Sequence, residues 1–238
     1  MKKIELAVLP WGATEAHNFH LPYGTDIYEA EVIAAESARI AWENGAKVIV
    51  LPTLPFGVNT GQHDIYLDIN LNPSTQLAIL ADIIEVLNRQ QIHKLLIFNS
   101  HGGNDFKAML RELGLKYPKM FLCTSNWFQA LSRKEYFEME GDHADELETS
   151  IMMHIKPELI LDRKEWGQGD SKRFSIDAFN ENWLWAERAW SKVSTDTGVG
   201  NPKLSSKEKG ERFFKDVTQK IGQMLTDLSA LNKDDMYI

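Results

Sequence analysis

The sequence predicts an α/β fold built on a parallel sheet with helices on both faces. Two observations carry that expectation. Each of four short apolar runs is followed by a segment of helix length, the alternation that parallel sheets need because each crossover must return over a face. In addition, two polar loops rich in histidine and carboxylate follow the first and third of these runs. Sites in such sheets form at the carboxyl ends of strands, so both loops are expected on one rim.

The elements follow in order. Ile4 to Leu9 is short, apolar and closed by Pro10, as for a buried strand. Tyr28 to Trp42 has the period of a helix, with Gly45 as its stop. Asp26 stands three before Glu29, a capping-box-like spacing, so on local grounds Asp26 reads as the helix N-cap. Val48 to Leu51 is a second strand. Pro55 to Asn72 has no period and reads as loop. Pro73 suits a first helical turn, and Thr75 to Arg89 is strongly amphipathic. Lys94 to Phe98 and Met120 to Cys123 are the third and fourth strands, around a helix from Asp105 to Leu113 stopped by Gly114. A helix over Ile151 to His154 ends before Pro157, and Ser206 to Leu231 forms a long amphipathic one. The Trp-rich stretch between them, with Trp166, Trp183, Trp185 and Trp190, reads as core or interface, with a lid as the second reading.

The chain has 238 residues, a length that fits one large domain or two small ones. A net charge of −8 argues against nucleic-acid or anionic-membrane partners. The single cysteine, Cys123, allows no internal disulfide, so a reducing, cytoplasmic compartment is the simpler expectation. The apolar run behind Met1 stops at Pro10, too soon for a signal sequence.

Chemistry concentrates in three stretches. The first, Gly12 to Asp26, holds Glu15, His17, His20 and Asp26. Glu15 and His17 are two apart, so in extended chain they point the same way. Carboxylate and imidazole without thiolate suit zinc, manganese or iron, and a carboxylate such as Asp26 can bridge two ions. The second stretch is Asn99-Ser-His-Gly-Gly-Asn104. The third, Glu140 to Ser150, contains His143 and Glu148. Its Asp142, Asp145 and Glu146 read as solvated first-turn acids favoured by the helix dipole. His143 gains nothing from that position. A P-loop, a Gly-x-Ser-x-Gly elbow and a His-Glu-x-x-His motif are all absent. His63, His93 and His154 are expected to be structural.

The spacings Glu15-x-His17-x-x-His20-Leu-Pro-x-Gly-Thr-Asp26, Asn99-x-His101-Gly-Gly-Asn104 and His143-Ala-x-x-x-Glu148-Thr-Ser resemble the creatininase family of metal-dependent amidohydrolases. The turn from Gly198 to Pro202 resembles that family as well. The resemblance implies a single domain over 1–238 with a three-layer α/β/α fold, two divalent ions per chain, and a hexamer acting on a small molecule. The implied reaction is hydrolysis of a C–N bond other than a peptide bond. By the same resemblance, Glu15 and His101 match ligands of one ion and His17 a ligand of the other. Asp26 matches the bridging carboxylate and His143 the acid/base histidine. His20, Trp127, Gly102 and Gly103 are expected to face the substrate.

The chain also departs from the family. Creatininase proper has Tyr and Glu after the strand-end histidine, the Glu being a ligand, where this chain has Gly102 and Gly103. Either Glu148 supplies that ligand from another loop, or the site holds one ion firmly and one loosely. Tyr66-Leu-Asp-Ile69 stands in place of the usual Phe-Pro-Gly-Thr, so creatinine itself is a poor candidate substrate. The alternatives are a metal hydrolase acting on a C–C or other bond on the same centre and a metal-binding scaffold subunit without catalysis.

Overall fold

The computed structural model describes residues 4–237. Strands β1 (Leu6–Trp11), β2 (Val48–Val50), β3 (Lys94–Asn99) and β4 (Phe121–Asn126) form one parallel sheet in the order β2-β1-β3-β4. Helices α1 (Thr25–Glu43), α2 (Pro73–Arg89) and α3 (Lys107–Lys116) make the three crossovers. Then come β5 (Gly141–His143), α4 (Glu146–Ile155), the short helices α5 (Asp177–Asn180) and α6 (Trp190–Val193), β6 (Val199–Gly200) and the long α7 (Lys207–Ala230). β5 and β6 pair antiparallel as a separate ribbon.

Alternation along β1 and β3 explains the layers. Leu6, Val8, Leu96 and Phe98 face one side and pack with α1, α4 and α7 through Ile33, Ile151, Phe213 and Val217. Ala7, Leu9, Leu95 and Ile97 face the other and pack with α2 and α3 through Leu80, Ile84 and Met109. Because both faces are covered, β1 and β3 are buried along nearly their whole length, which is why their sequences read as continuous apolar runs.

Register sets the site. Trp11 at the end of β1 lies level with Asn99 of β3, and Asn99 lies level with Asn126 of β4. The chain segments carrying Glu15, His101 and Trp127 therefore leave the sheet side by side. Gly12 matters here: a Cβ on it would lie 2.8 Å from the backbone of Asp26 and Ile27. Its absence lets the end of β1 press against the start of α1.

Three local expectations are corrected. Asp26 does not cap α1; Gly24 holds that place without a side-chain bond, and Asp26 lies within the first turn. The third helix runs through Gly114 to Lys116, because Gly114 is held by neither a turn nor a close neighbour. Asp145 and Glu146 are buried rather than solvated. Asp145 caps α4 by accepting from the N–H groups of Leu147 and Glu148 and pairs with Arg133. Glu146 pairs with Lys209 and accepts from the N–H groups of Glu138 and Met139. Of the three, only Asp142 is exposed, and it pairs with Arg188.

Two substitutions test the packing. Phe213, fully buried against the rings of Tyr136, Phe137 and Trp127, should cost about 3–5 kcal/mol when changed to Ala. Gly114→Ala, in an open helical position, should instead stabilise by about 0.5–1 kcal/mol. Denaturant unfolding of both variants measures the two signs.

Candidate metal centre

Three histidines converge on buried carboxylates, and each is oriented in the same way. His17 donates from Nδ1 to the Glu15 carbonyl at 3.0 Å. Its Nε2 then faces Asp26 Oδ1 at 3.1 Å, Glu15 Oε1 at 3.9 Å and Glu148 Oε2 at 4.0 Å. His101 donates from Nε2 to the Val58 carbonyl at 3.0 Å, leaving Nδ1 facing Glu15 Oε1 at 2.8 Å and Asp26 Oδ2 at 3.0 Å. His143 donates from Nε2 to the Ala16 carbonyl at 2.8 Å, with Nδ1 3.8 Å from Glu15 Oε1. A carbonyl can only accept, so it fixes an N–H on one nitrogen and leaves the other to hold either a second proton or a metal. A ring nitrogen aimed at a carboxylate oxygen must carry a proton or face a metal ion, because two lone pairs repel. This is the arrangement that outer hydrogen bonds impose on metal-ligating histidines.

The donor atoms group as a metal would need. Glu15, Asp26 and His101 present atoms within 4.8 Å of one another, and so do His17, Asp26 and Glu148. These two groups share only Asp26. A third group, Glu15, His17 and His143, overlaps both. Glu15, His17 and Asp26 are essentially fully buried, and an N/O donor set of this kind suits zinc, manganese or iron.

The electrostatics agree. Burial would lower the pKa of His17, but Asp26, Glu15 and Glu148 outweigh it and hold the imidazole at about 10. For His101 burial is again outweighed, here by Glu15 and Asp26, and its pKa is raised well above normal. Burial would raise Glu15, but His101, His143 and His17 hold it well below the usual carboxylate range. Burial pushes Glu148 up to about 8 against the pull of His17. His143 is lowered, chiefly by burial.

The remaining expected residues fall at different distances from this cluster. Trp127 is 1% exposed in the core, and its indole N–H donates to Ser100 Oγ at 2.7 Å. Through Ser100 it braces the His101 loop. His20 is likewise buried, bonded to Thr149 Oγ1 at 2.9 Å and stacked on Trp166 at 4.5 Å; burial and His17 lower it to about 4. Gly102 is exposed with open space around it. A Cβ at Gly103 would collide with the Val58 carbonyl and the His101 ring, so no carboxylate-bearing side chain fits there. In the Trp-rich stretch, Trp190 packs on His143 at 4.8 Å, whereas Trp183 and Trp185 are 74% and 83% exposed. Bonds from Thr60 to Glu187 and from Ser191 to Asp64 fasten this stretch to the β2–α2 loop.

That loop was the least legible part of the sequence. Its Gln62 donates to Glu15 Oε2 and its Asp68 Oδ1 accepts from the Ala16 N–H at 2.7 Å. Among the described residues no helix is long and apolar enough to cross a membrane.

The creatininase family profile, described as creatinine amidohydrolase, matches residues 1–225. The chain belongs to the creatininase family. Among solved structures, a Bacteroides fragilis NCTC 9343 protein provisionally named creatinine amidohydrolase is 44% identical, with a TM-score of 0.92 over 99% of this chain and 93% of that one. A manganese form of creatininase shares the fold at 20% identity and a TM-score of 0.76, over 93% of this chain and 90% of its own. Among characterised relatives, a mycofactocin precursor peptide peptidase of Mycobacterium tuberculosis (strain CDC 1551 / Oshkosh) is 25% identical, over 87% of this chain and 79% of its own length. A 3-dehydro-scyllo-inosose hydrolase of Thermotoga maritima is 24% identical over 70% of this chain and 54% of its own length.

Proton release tests the centre. With His17 at about 10 and His101 raised, both rings hold protons at pH 7 in the metal-free chain, whereas ligating imidazoles are neutral. Glu148, at about 8, is protonated at pH 7 as well and would ligate only as the carboxylate. Zinc binding at pH 7 should therefore release about three protons per chain, and affinity should rise with pH toward 10. Titration calorimetry in buffers of differing ionisation enthalpy measures this; zinc uptake with no proton release would refute the ligand assignment.

Proposed function

We propose that this chain is a metal-dependent amidohydrolase that cleaves a C–N bond other than a peptide bond in a small cyclic amide or formamide. The observation that carries the proposal is the shared orientation of the three histidines, each held on a backbone carbonyl with its other ring nitrogen turned to the carboxylates. Glu15 and His101 would hold one divalent ion, His17 and Glu148 a second, and Asp26 would lie between them. Zinc, manganese and iron suit these donors, and creatininase structures include manganese and zinc–zinc forms. When bound, such ions lower the pKa of a water toward neutrality and polarise a carbonyl.

The chain's own residues supply the rest. Burial lowers His143, so it is neutral at neutral pH with Nδ1 free to take a proton. Glu15, 3.8 Å away, steadies the imidazolium that results. The same nitrogen can then return the proton to the leaving nitrogen of the substrate. Trp190 covers His143 and keeps water off the far side of its ring. Trp166 and Trp190 pack on His20 and His143, and this close cover favours a small molecule over an extended peptide. The inosose hydrolase relative supports a second reading, hydrolysis of a carbocyclic ketone on the same centre.

Turnover should be sought on metal-loaded protein with lactams, formamides, short peptides and a carbocyclic ketone. Activity on the peptides alone would sink the proposal. On any substrate turned over, His143→Ala should keep the metals and lose about two to four orders of magnitude, mainly in kcat. Asp26→Ala should lose both metals and His17→Ala only one. If His143→Ala strips a metal instead, the residue is a ligand.

We also propose a homo-oligomer, a hexamer by the family resemblance. Its support is the exposed aromatic surface of Trp183 and Trp185, residue types enriched at interfaces. Light scattering at micromolar concentration should give a mass well above 27.2 kDa, falling toward it in the double Trp183→Ala, Trp185→Ala variant. A monomer mass for the native chain would remove this assignment.

A further inference from the structure

The loop between β2 and α2 lies against the segment that carries Glu15 and His17. The Ile69 N–H donates to the Thr14 carbonyl at 3.0 Å. The Asn59 amide donates to the carbonyls of Thr14 and Ile69 at 3.1 and 3.3 Å. The Gln62 amide donates to Glu15, and Asp68 Oδ1 takes the Ala16 N–H. These partners settle which way each side chain points. A carbonyl or carboxylate must face the amide nitrogen, so Asn59 and Gln62 each leave an oxygen over.

Those oxygens have nothing to accept from. Asn59 Oδ1, Gln62 Oε1 and Asp68 Oδ2 are all buried without a hydrogen-bond partner. Orphaned buried acceptors are rare in folded proteins and call for an explanation. Here three come from one ten-residue stretch beside the metal centre, and all three lack a donor. Leu67 adopts a left-handed backbone with φ of 62°, a costly conformation for a leucine that turns the chain just before Asp68. This is also the stretch where Tyr66 to Ile69 departs from the family's usual Phe-Pro-Gly-Thr.

We infer that this loop is the substrate-recognition wall, and that Asp68 determines specificity by accepting a hydrogen bond from an amine or hydroxyl that the substrate carries beside its scissile amide. The inference rests on the amidohydrolase reading and narrows its substrate class to donor-bearing molecules. Burial and nearby Glu15 raise Asp68 to about 7, against the pull of the Ala16 N–H. A donor at Oδ2 would relieve that burden, and a cationic one would relieve it most.

The test uses the zinc-loaded full chain and three probes: 2-pyrrolidinone, 3-amino-2-pyrrolidinone and 3-hydroxy-2-pyrrolidinone. Asp68→Asn keeps an oxygen for the Ala16 N–H but turns the orphaned acceptor into a donor. By calorimetry, the native chain should bind at least one substituted lactam about ten- to a hundredfold more tightly than the parent. Asp68→Asn should abolish that preference with zinc content unchanged. Preference for the amine assigns a cationic partner; preference for the hydroxyl assigns a neutral one. Equal or undetectable binding of all three probes by the native chain overturns the inference, whether or not the variant folds. So does a preference that survives in Asp68→Asn, or a loss of zinc there, which would make Asp68 a prop for the Glu15 segment. Turnover of the parent lactam without preference keeps the amidohydrolase reading and loses this one. Tight, Asp68-dependent binding without turnover does the reverse.

Discussion

Asp26 receives a histidine nitrogen on each of its oxygens, His17 on one and His101 on the other, and the surrounding structure exists to make that possible. Carboxylates this deeply buried are costly unless cations neutralise them. In the metal-free chain the raised imidazoles supply that charge; a bound metal would replace their protons. Glu29, one turn along α1 from Asp26, shows the other solution. Both its oxygens are buried without a partner, and burial with Glu148 and Asp26 nearby raises it far above the usual carboxylate range. It is therefore neutral and adds no charge to the cluster.

The second anchor is the start of α4, which delivers His143 and Glu148 together. Ala144 between them has φ of 48°, a backbone conformation that L residues seldom hold without support. Support comes from three directions. The Ala144 N–H donates to the Glu148 carboxylate, Asp145 caps the helix while paired with Arg133, and Glu146 is tied to Lys209 of α7. A buried ion pair is weak evidence of stability. These pairs are better understood as setting where the N-terminus of α4 sits, and so where the His143 ring and the Glu148 carboxylate point.

What could be read in the sequence follows from these physics. The strand–helix alternation was legible because strands covered on both faces are nearly all apolar. Glu15, His17, Asp26 and His101 were legible because they crowd two short loops. Asp26 as a cap and Asp145 and Glu146 as surface acids were misleading, because local rules see only neighbours in the chain. The partners that overrule them, His101, Arg133 and Lys209, come from other elements. Gln62 and Asp68 were hidden for a different reason: polar residues in a loop without period look alike until the loop is laid against something. The four tryptophans of the irregular stretch divided into two that pack on histidines and two that stay exposed, a split with no signature in their spacing.

Gly103 shows how one backbone constraint redirects the chemistry of the whole rim. The His101 ring is held by the Val58 carbonyl, and both lie where a Cβ on residue 103 would have to go. The loop can keep that histidine orientation or carry a side chain at 103, but not both. A carboxylate for a second ion would then have to come from elsewhere, and Glu148 on α4 reaches His17 at 4.0 Å, beside Asp26 at 3.1 Å and Glu15 at 3.9 Å. Moving the carboxylate from the sheet rim to α4 leaves Gly102 exposed with open space around it. The β2–α2 loop, which holds His101 through Val58, is also the one whose Asn59, Gln62 and Asp68 carry acceptors that the protein itself does not satisfy.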